Sequence, residues 1–61
     1  MKLKEFCVNQ KWCIGFAEVR RFITSGAIKI NDIVAIDTDT ELHDGDIVKC
    51  GKHKTAIVKE S

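Results

Sequence analysis

The sequence contains no proline and only four glycines. Proline-rich tracts make stiff linkers and proline interrupts hydrogen-bonded elements. Its absence, with no low-complexity tract or internal repeat, leaves no position for a linker, and the 61 residues read as one domain, 1–61. No apolar run exceeds four residues, far short of the ~20 that span a bilayer. The N-terminus lacks the charged-then-apolar pattern of a signal peptide. A cytoplasmic protein with no membrane contact is expected. Cysteine is also sparse. Cys7, Cys13 and Cys50 are an odd number without framework spacing, which argues against a disulfide scaffold and suits a reducing compartment.

Size excludes more. A chain of roughly 60 residues buries only about 60% of the surface its unfolded form exposes, so its core is thin and a deep substrate pocket would hollow it out. No nucleophile has a credible base partner: Thr24 and Ser25 stand at a helix end, where capping and turn chemistry account for them. Neither enzymatic activity nor a cofactor or metal is expected. Starting at Met1 and ending at Ser61 after one domain, the chain is expected to be complete, a stand-alone monomeric binding module.

What is present is charge, unevenly placed. The formal net charge is +1. Residues 1–31 carry six Lys/Arg against two acids, residues 32–46 carry six acids and no Lys/Arg, and residues 47–61 carry four lysines against one acid. Such asymmetry is expected if one face meets a polyanion.

Hydrophobic periodicity predicts the elements. Leu3, Phe6 and Cys7 recur at i, i+3, i+4, which gives a short amphipathic helix over 2–10, with Trp12 closing over the core. Gly15 is an acceptable N-cap, Glu18 stands where a capping carboxylate helps, and Val19, Phe22 and Ile23 make the buried stripe of a helix over 16–25 that stops at Gly26. The period then changes to 2. Ile28 and Ile30 alternate with Lys29, and Asn31-Asp32 makes a turn into a strand over 33–36. After a polar loop over 37–42 and a turn at 43–46, Val48 and Cys50 alternate with Lys49, residues 51–54 connect, and 55–58 form a last strand. The fold class is α+β: two N-terminal helices packed on a small, mainly antiparallel sheet of about four short strands.

Three stretches together resemble a known family. They are GFAEVRRFI over 15–23, SGAIKIN over 25–31 and DGDIVKCG over 44–51. Their order and spacing are similar to the S-four RNA-binding domain, named after ribosomal small-subunit protein four and found again at the C-terminus of bacterial tyrosyl-tRNA synthetases. That family's pattern is roughly Ser-x-Ser-Glu-Ala-Arg-Arg-Leu-Ile, a Gly followed by Val-x-Val-Asn-Gly, then Gly-Asp-x-Ile-x-Val-Gly. The match spans about residues 3–58, and the hairpin over 51–54 looks most like the synthetase version. Gly15 and Ala17 stand where the family has serines, Phe16 where it is often basic, Val19 for Ala, and Asp32 for the turn glycine. Losing those hydroxyls and that charge removes phosphate contacts at the helix N-terminus. The resemblance implies a structured RNA, tRNA or rRNA, as partner, with a ribosomal or synthetase-like protein as a further one.

The residues themselves point the same way. On the second helix Arg21 lies about 200° from Val19 and must face outward, with Arg20 on the flank. A guanidinium offers a rigid fork of donors that matches phosphate oxygens, so two on one helix suit a phosphate clamp. The Arg20 flank is expected beside the sheet edge and Lys29. Lys49, Lys52, His53 and Lys54 surround a hairpin that would form the second wall of an RNA groove, with Lys11 a weaker candidate. Double-stranded RNA is read mainly by shape, phosphates and 2′-hydroxyls, which a small rigid surface can match.

Rival readings are weaker. Cys7, Cys13, Cys50 and His53 include ligand types for zinc, but Cys7 and Cys50 fall on apolar stripes and read as small buried hydrophobes. Asp37-Thr38-Asp39-Thr40-Glu41 begins like a calcium loop, yet Leu42 occupies the position of the required glycine. The alternative function is a protein-interaction module with the same fold, in which Ile14 and Phe16 form an outward apolar patch.

Overall fold

The computed structural model describes residues 1–59. Helices α1 (Leu3–Asn9) and α2 (Phe16–Thr24) precede strands β1 (Ile28–Ile30), β2 (Ile33–Val34), β3 (Ile47–Cys50) and β4 (Lys54–Ile57). The strands form one antiparallel sheet in the order β2-β1-β3-β4. The α+β class holds, and the element order is the one that periodicity predicts. No helix among the described residues is long and apolar enough to cross a membrane.

The start of α1 and the end of α2 are closed by identifiable groups. Lys2 supplies no side-chain cap to α1. Instead, the Leu3 and Lys4 amides donate to the Thr40 and Thr38 carbonyls at 2.9 and 3.0 Å. The loop after β2 is thereby tied to the start of α1, satisfying donors that an uncapped helix leaves open. At the end of α2 the Ala27 amide donates to the Phe22 carbonyl (2.9 Å) and the Gly26 amide to the Ile23 carbonyl (3.0 Å), with Gly26 at φ +75°. That pair of bonds is the Schellman closure, and it requires a left-handed residue.

The β1–β2 turn has two residues, with Asn31 at φ 51° and Asp32 at φ 69°. Two successive left-handed residues give the turn whose twist matches a hairpin. Strand β2 is shorter than the predicted 33–36 because the chain leaves the ladder after Ala35, whose amide still donates to the Ile28 carbonyl at 2.9 Å. Strand β4 begins one residue early, at Lys54, which pairs with Cys50 across a three-residue connection.

The inner face of the sheet packs on the helices. Leu3, Phe6, Cys7, Val19, Ile28, Val48, Cys50 and Val58 are buried in one core, joined by Cys13, Ala35 and Leu42. Trp12 is half-buried at its margin, its ring edge-on to Phe6 with centroids 5.8 Å apart, a favoured aromatic geometry.

Candidate functional site

Helix α2 turns about 100° per residue, so its three apolar positions divide its flanks. Val19 is buried, with Phe22 to one side and Ile23 to the other. Arg21 lies on the Phe22 side and Arg20 on the Ile23 side, both exposed. Between them Ala17, Thr24 and Ser25 leave a furrow of small side chains. The two arginines therefore diverge from a shared ridge.

On the Phe22 side, α2 meets the β3–β4 hairpin. Phe22 and Ala27 join Cys50, Gly51, Lys52, His53 and Lys54 around a hollow of about 320 Å³. The hairpin is held beside the helix end because the Gly51 amide donates to the Ala27 carbonyl at 2.8 Å. Lys54 shares its sheet row with Ile28 and Cys50, so its side chain starts from the helix-facing side. The Lys54 ammonium and the Glu18 carboxylate both act on the Cys13 and Cys50 thiols, which places one acid near this wall. Lys52, His53 and Lys54 are exposed, and among the described residues none of them, nor Arg20 or Arg21, is in an ion pair.

On the Ile23 side, Arg20 lines a second hollow with Ile36, Asp37 and Thr38. The expectation that Arg20 lies beside Lys29 is thus corrected. Lys29 alternates with buried Ile28, which turns it to the sheet face away from the helices. There it stands opposite Lys49 across the β1–β3 ladder. Lys49 is also not free: its Nζ lies 3.2 Å from Asp32 Oδ1. Lys11 is exposed in the α1–α2 connection, left-handed at φ 63°, and does not line the hollow beside Phe22. Residues 52–54 thus line the α2–hairpin hollow, Arg21 lines the furrow on α2 with Arg20, Lys29 and Lys49 form a separate pair, and Lys11 stands apart.

The acids of the chain's middle are drawn to other partners. Lys4 Nζ pairs with Asp39 at 2.9 Å, and the N-terminal ammonium pairs with Glu41 at 3.0 Å. These contacts hold both carboxyls below the ordinary carboxylate range, first through the hydrogen bond and then through the nearby positive charge. Asp46 is held low by the His43 amide (2.8 Å) and next by the Asn31 side-chain amide (3.1 Å). The Asn31 side-chain oxygen, Oδ1, in turn accepts from the Ile47 amide at 3.0 Å. Asn31 and Asp46 are therefore a structural clasp between the β1–β2 turn and the start of β3, a role that sequence pattern did not reveal.

All three cysteines are buried. Burial first, then the neighbouring Cys13 and Cys50, pushes the Cys7 thiol up to about 12, which suppresses thiolate chemistry. Among the described residues no group of three or more His, Cys, Asp or Glu is arranged to hold a metal ion. The apolar patch of the alternative reading is exposed as expected: Ile14 is 92% accessible and Phe16 53%. Lys4 Nζ lies 5.2 Å from the Phe16 ring centroid, a cation–π contact that covers part of that ring.

Comparison of the chain with protein-family models, curated proteins and solved structures finds no match.

Proposed function

We propose that this chain is a small RNA-binding module that grips structured RNA, of the tRNA or rRNA type, through phosphate and shape contacts made by α2 and the β3–β4 hairpin. One observation carries the reading. Lys52, His53 and Lys54 line the α2–hairpin hollow and Arg20 and Arg21 line the furrow on α2, none of them in an ion pair among the described residues, while Asp39 and Glu41 are engaged at the start of α1. Unpaired cations on a rigid surface are what a phosphate backbone requires, because each phosphate neutralised releases counterions. The resemblance of residues 15–31 and 44–51 to the S-four pattern supports the same partner. Arg20 stands at the border with Asp37 and contributes less than Arg21. Lys29 and Lys49, on the far sheet face, and Lys11, outside the hollow, lie beyond the first contact surface.

Titration of a fluorescent tRNA or rRNA hairpin at two salt concentrations tests this. With about four phosphates contacted, affinity falls roughly a hundredfold between about 50 and 200 mM salt. Arg21→Ala with Lys52→Ala and Lys54→Ala reduces the salt slope by about three. Absence of binding even at low salt favours the second reading, a protein partner seated on Ile14 and Phe16, which are exposed beside α2.

A further inference from the structure

The two edges of the sheet are complementary to each other. One edge, residues 32–37, is Asp-Ile-Val-Ala-Ile-Asp, and the other, residues 54–59, is Lys-Thr-Ala-Ile-Val-Lys. Each is a four-residue uncharged run bracketed by like charges, acidic on the β2 edge and basic on the β4 edge. The acidic edge exposes apolar surface that nothing among the described residues covers: Ile33 is 72% accessible and Ile36 89%. Ile57 on the basic edge is also exposed.

We propose that the β2 edge of one copy of this chain pairs with the β4 edge of another, extending the antiparallel sheet from copy to copy. Strand direction permits it. Successive neighbours in the order β2-β1-β3-β4 are all antiparallel, so β4 and the β2 of a copy placed alongside also run antiparallel, with the helices on the same side.

Register permits it as well, on two independent counts. Setting Lys54 opposite Asp37 and Lys59 opposite Asp32 puts Ala56 opposite Ala35 and Ile57 opposite Val34. Ala35 is buried, and Ala56 shares its row with buried Val48, so both face the helices. Facing residues in an antiparallel pair must share a face, and these do. The backbone agrees. The Ala35 amide is spent on the Ile28 carbonyl and the Val58 amide on the Asp46 carbonyl at 2.8 Å. Alternation then turns the N–H and C=O of Val34 and of Ile57 toward the open edges, where this register sets them opposite each other.

The charges also favour unlike edges. Pairing β2 with β4 brings two acids to two lysines, whereas β4 against its own copy, or β2 against its own copy, gathers charges of one sign along the seam. Such gathering is destabilising. The contact is short and belongs to the weak, transient class, and it modifies the monomer expected from the sequence only at high concentration. Neither edge depends on the RNA reading.

The test uses the whole chain in reducing buffer without RNA. In low salt, sedimentation shows average mass rising with concentration, and amide NMR shifts move together in 32–37 and 54–59. Lys54→Glu/Lys59→Glu alone and Asp32→Lys/Asp37→Lys alone each lose association about tenfold, and an equal mixture of the two regains it because their opposite charges meet. Circular dichroism checks that both variants fold, and if either does not, the shifts of the native chain decide. A chain that keeps the mass of one copy up to about millimolar concentration at low salt, or shifts confined to one edge, overturns the proposal.

Discussion

Asn31 does three things at once. It adopts a left-handed turn conformation, its amide donates to the Ile47 carbonyl at 2.8 Å, and its side chain bridges Asp46 and the Ile47 amide. Asparagine is the non-glycine residue best suited to that conformation. Alanine keeps the backbone bond but loses two side-chain hydrogen bonds and the conformational preference. Asn31→Ala is expected to cost about 1–2 kcal/mol, lowering the melting temperature by roughly 4–15 °C in a domain this small. Thermal unfolding followed by circular dichroism measures it. The neighbouring Asp32 fills a position where glycine is easier, and its exposed pairing with Lys49 offsets little of that cost.

At the scale of elements, α2 matters because of where it stops. The Schellman closure at Gly26 reverses the chain so that Ala27 can accept from Gly51, which seats the hairpin lysines next to Phe22. An added Cβ at Gly26 meets nothing within 4 Å, so strain in the left-handed backbone is the whole penalty. Gly26→Ala is expected to destabilise by about 1 kcal/mol and to weaken RNA binding by loosening the helix–hairpin angle. Denaturant unfolding and the RNA titration together separate the two effects. Helix α1 shows a different solution. With no capping side chain it borrows carbonyls from the loop after β2, and that borrowing carries the acidic stretch away from the α2–hairpin wall.

At the scale of the whole molecule, pH reports on the core. The three thiols are raised by burial. A folded-state value above the unfolded one means that folding favours the protonated form, so the stabilisation is complete below the ordinary thiol value of 9.0 and is lost as pH rises toward about 12. Stability is expected to decline above pH 9, and Cys7→Ala shrinks that decline while costing packing. The carboxyls of Asp39, Glu41 and Asp46 are lowered instead. Their contribution is present above the ordinary carboxylate range and is lost as pH falls below it. Urea unfolding at a series of pH values shows both limbs.

The sequence by itself determined the element order, the two-residue turn at Asn31-Asp32, the Gly26 stop, the burial of Cys7 and Cys50, and the placement of Arg21 outward with Arg20 on the flank. These follow from period, turn chemistry and sterics, which act over a few residues. Only the tertiary structure decided that Arg20 shares a hollow with Asp37 and not with Lys29, that Lys29 stands opposite Lys49, that Asn31 clasps Asp46, and that the acidic loop caps α1. Each of those depends on which segments meet after the core closes, and pairings between residues distant in the chain leave no periodic trace in it.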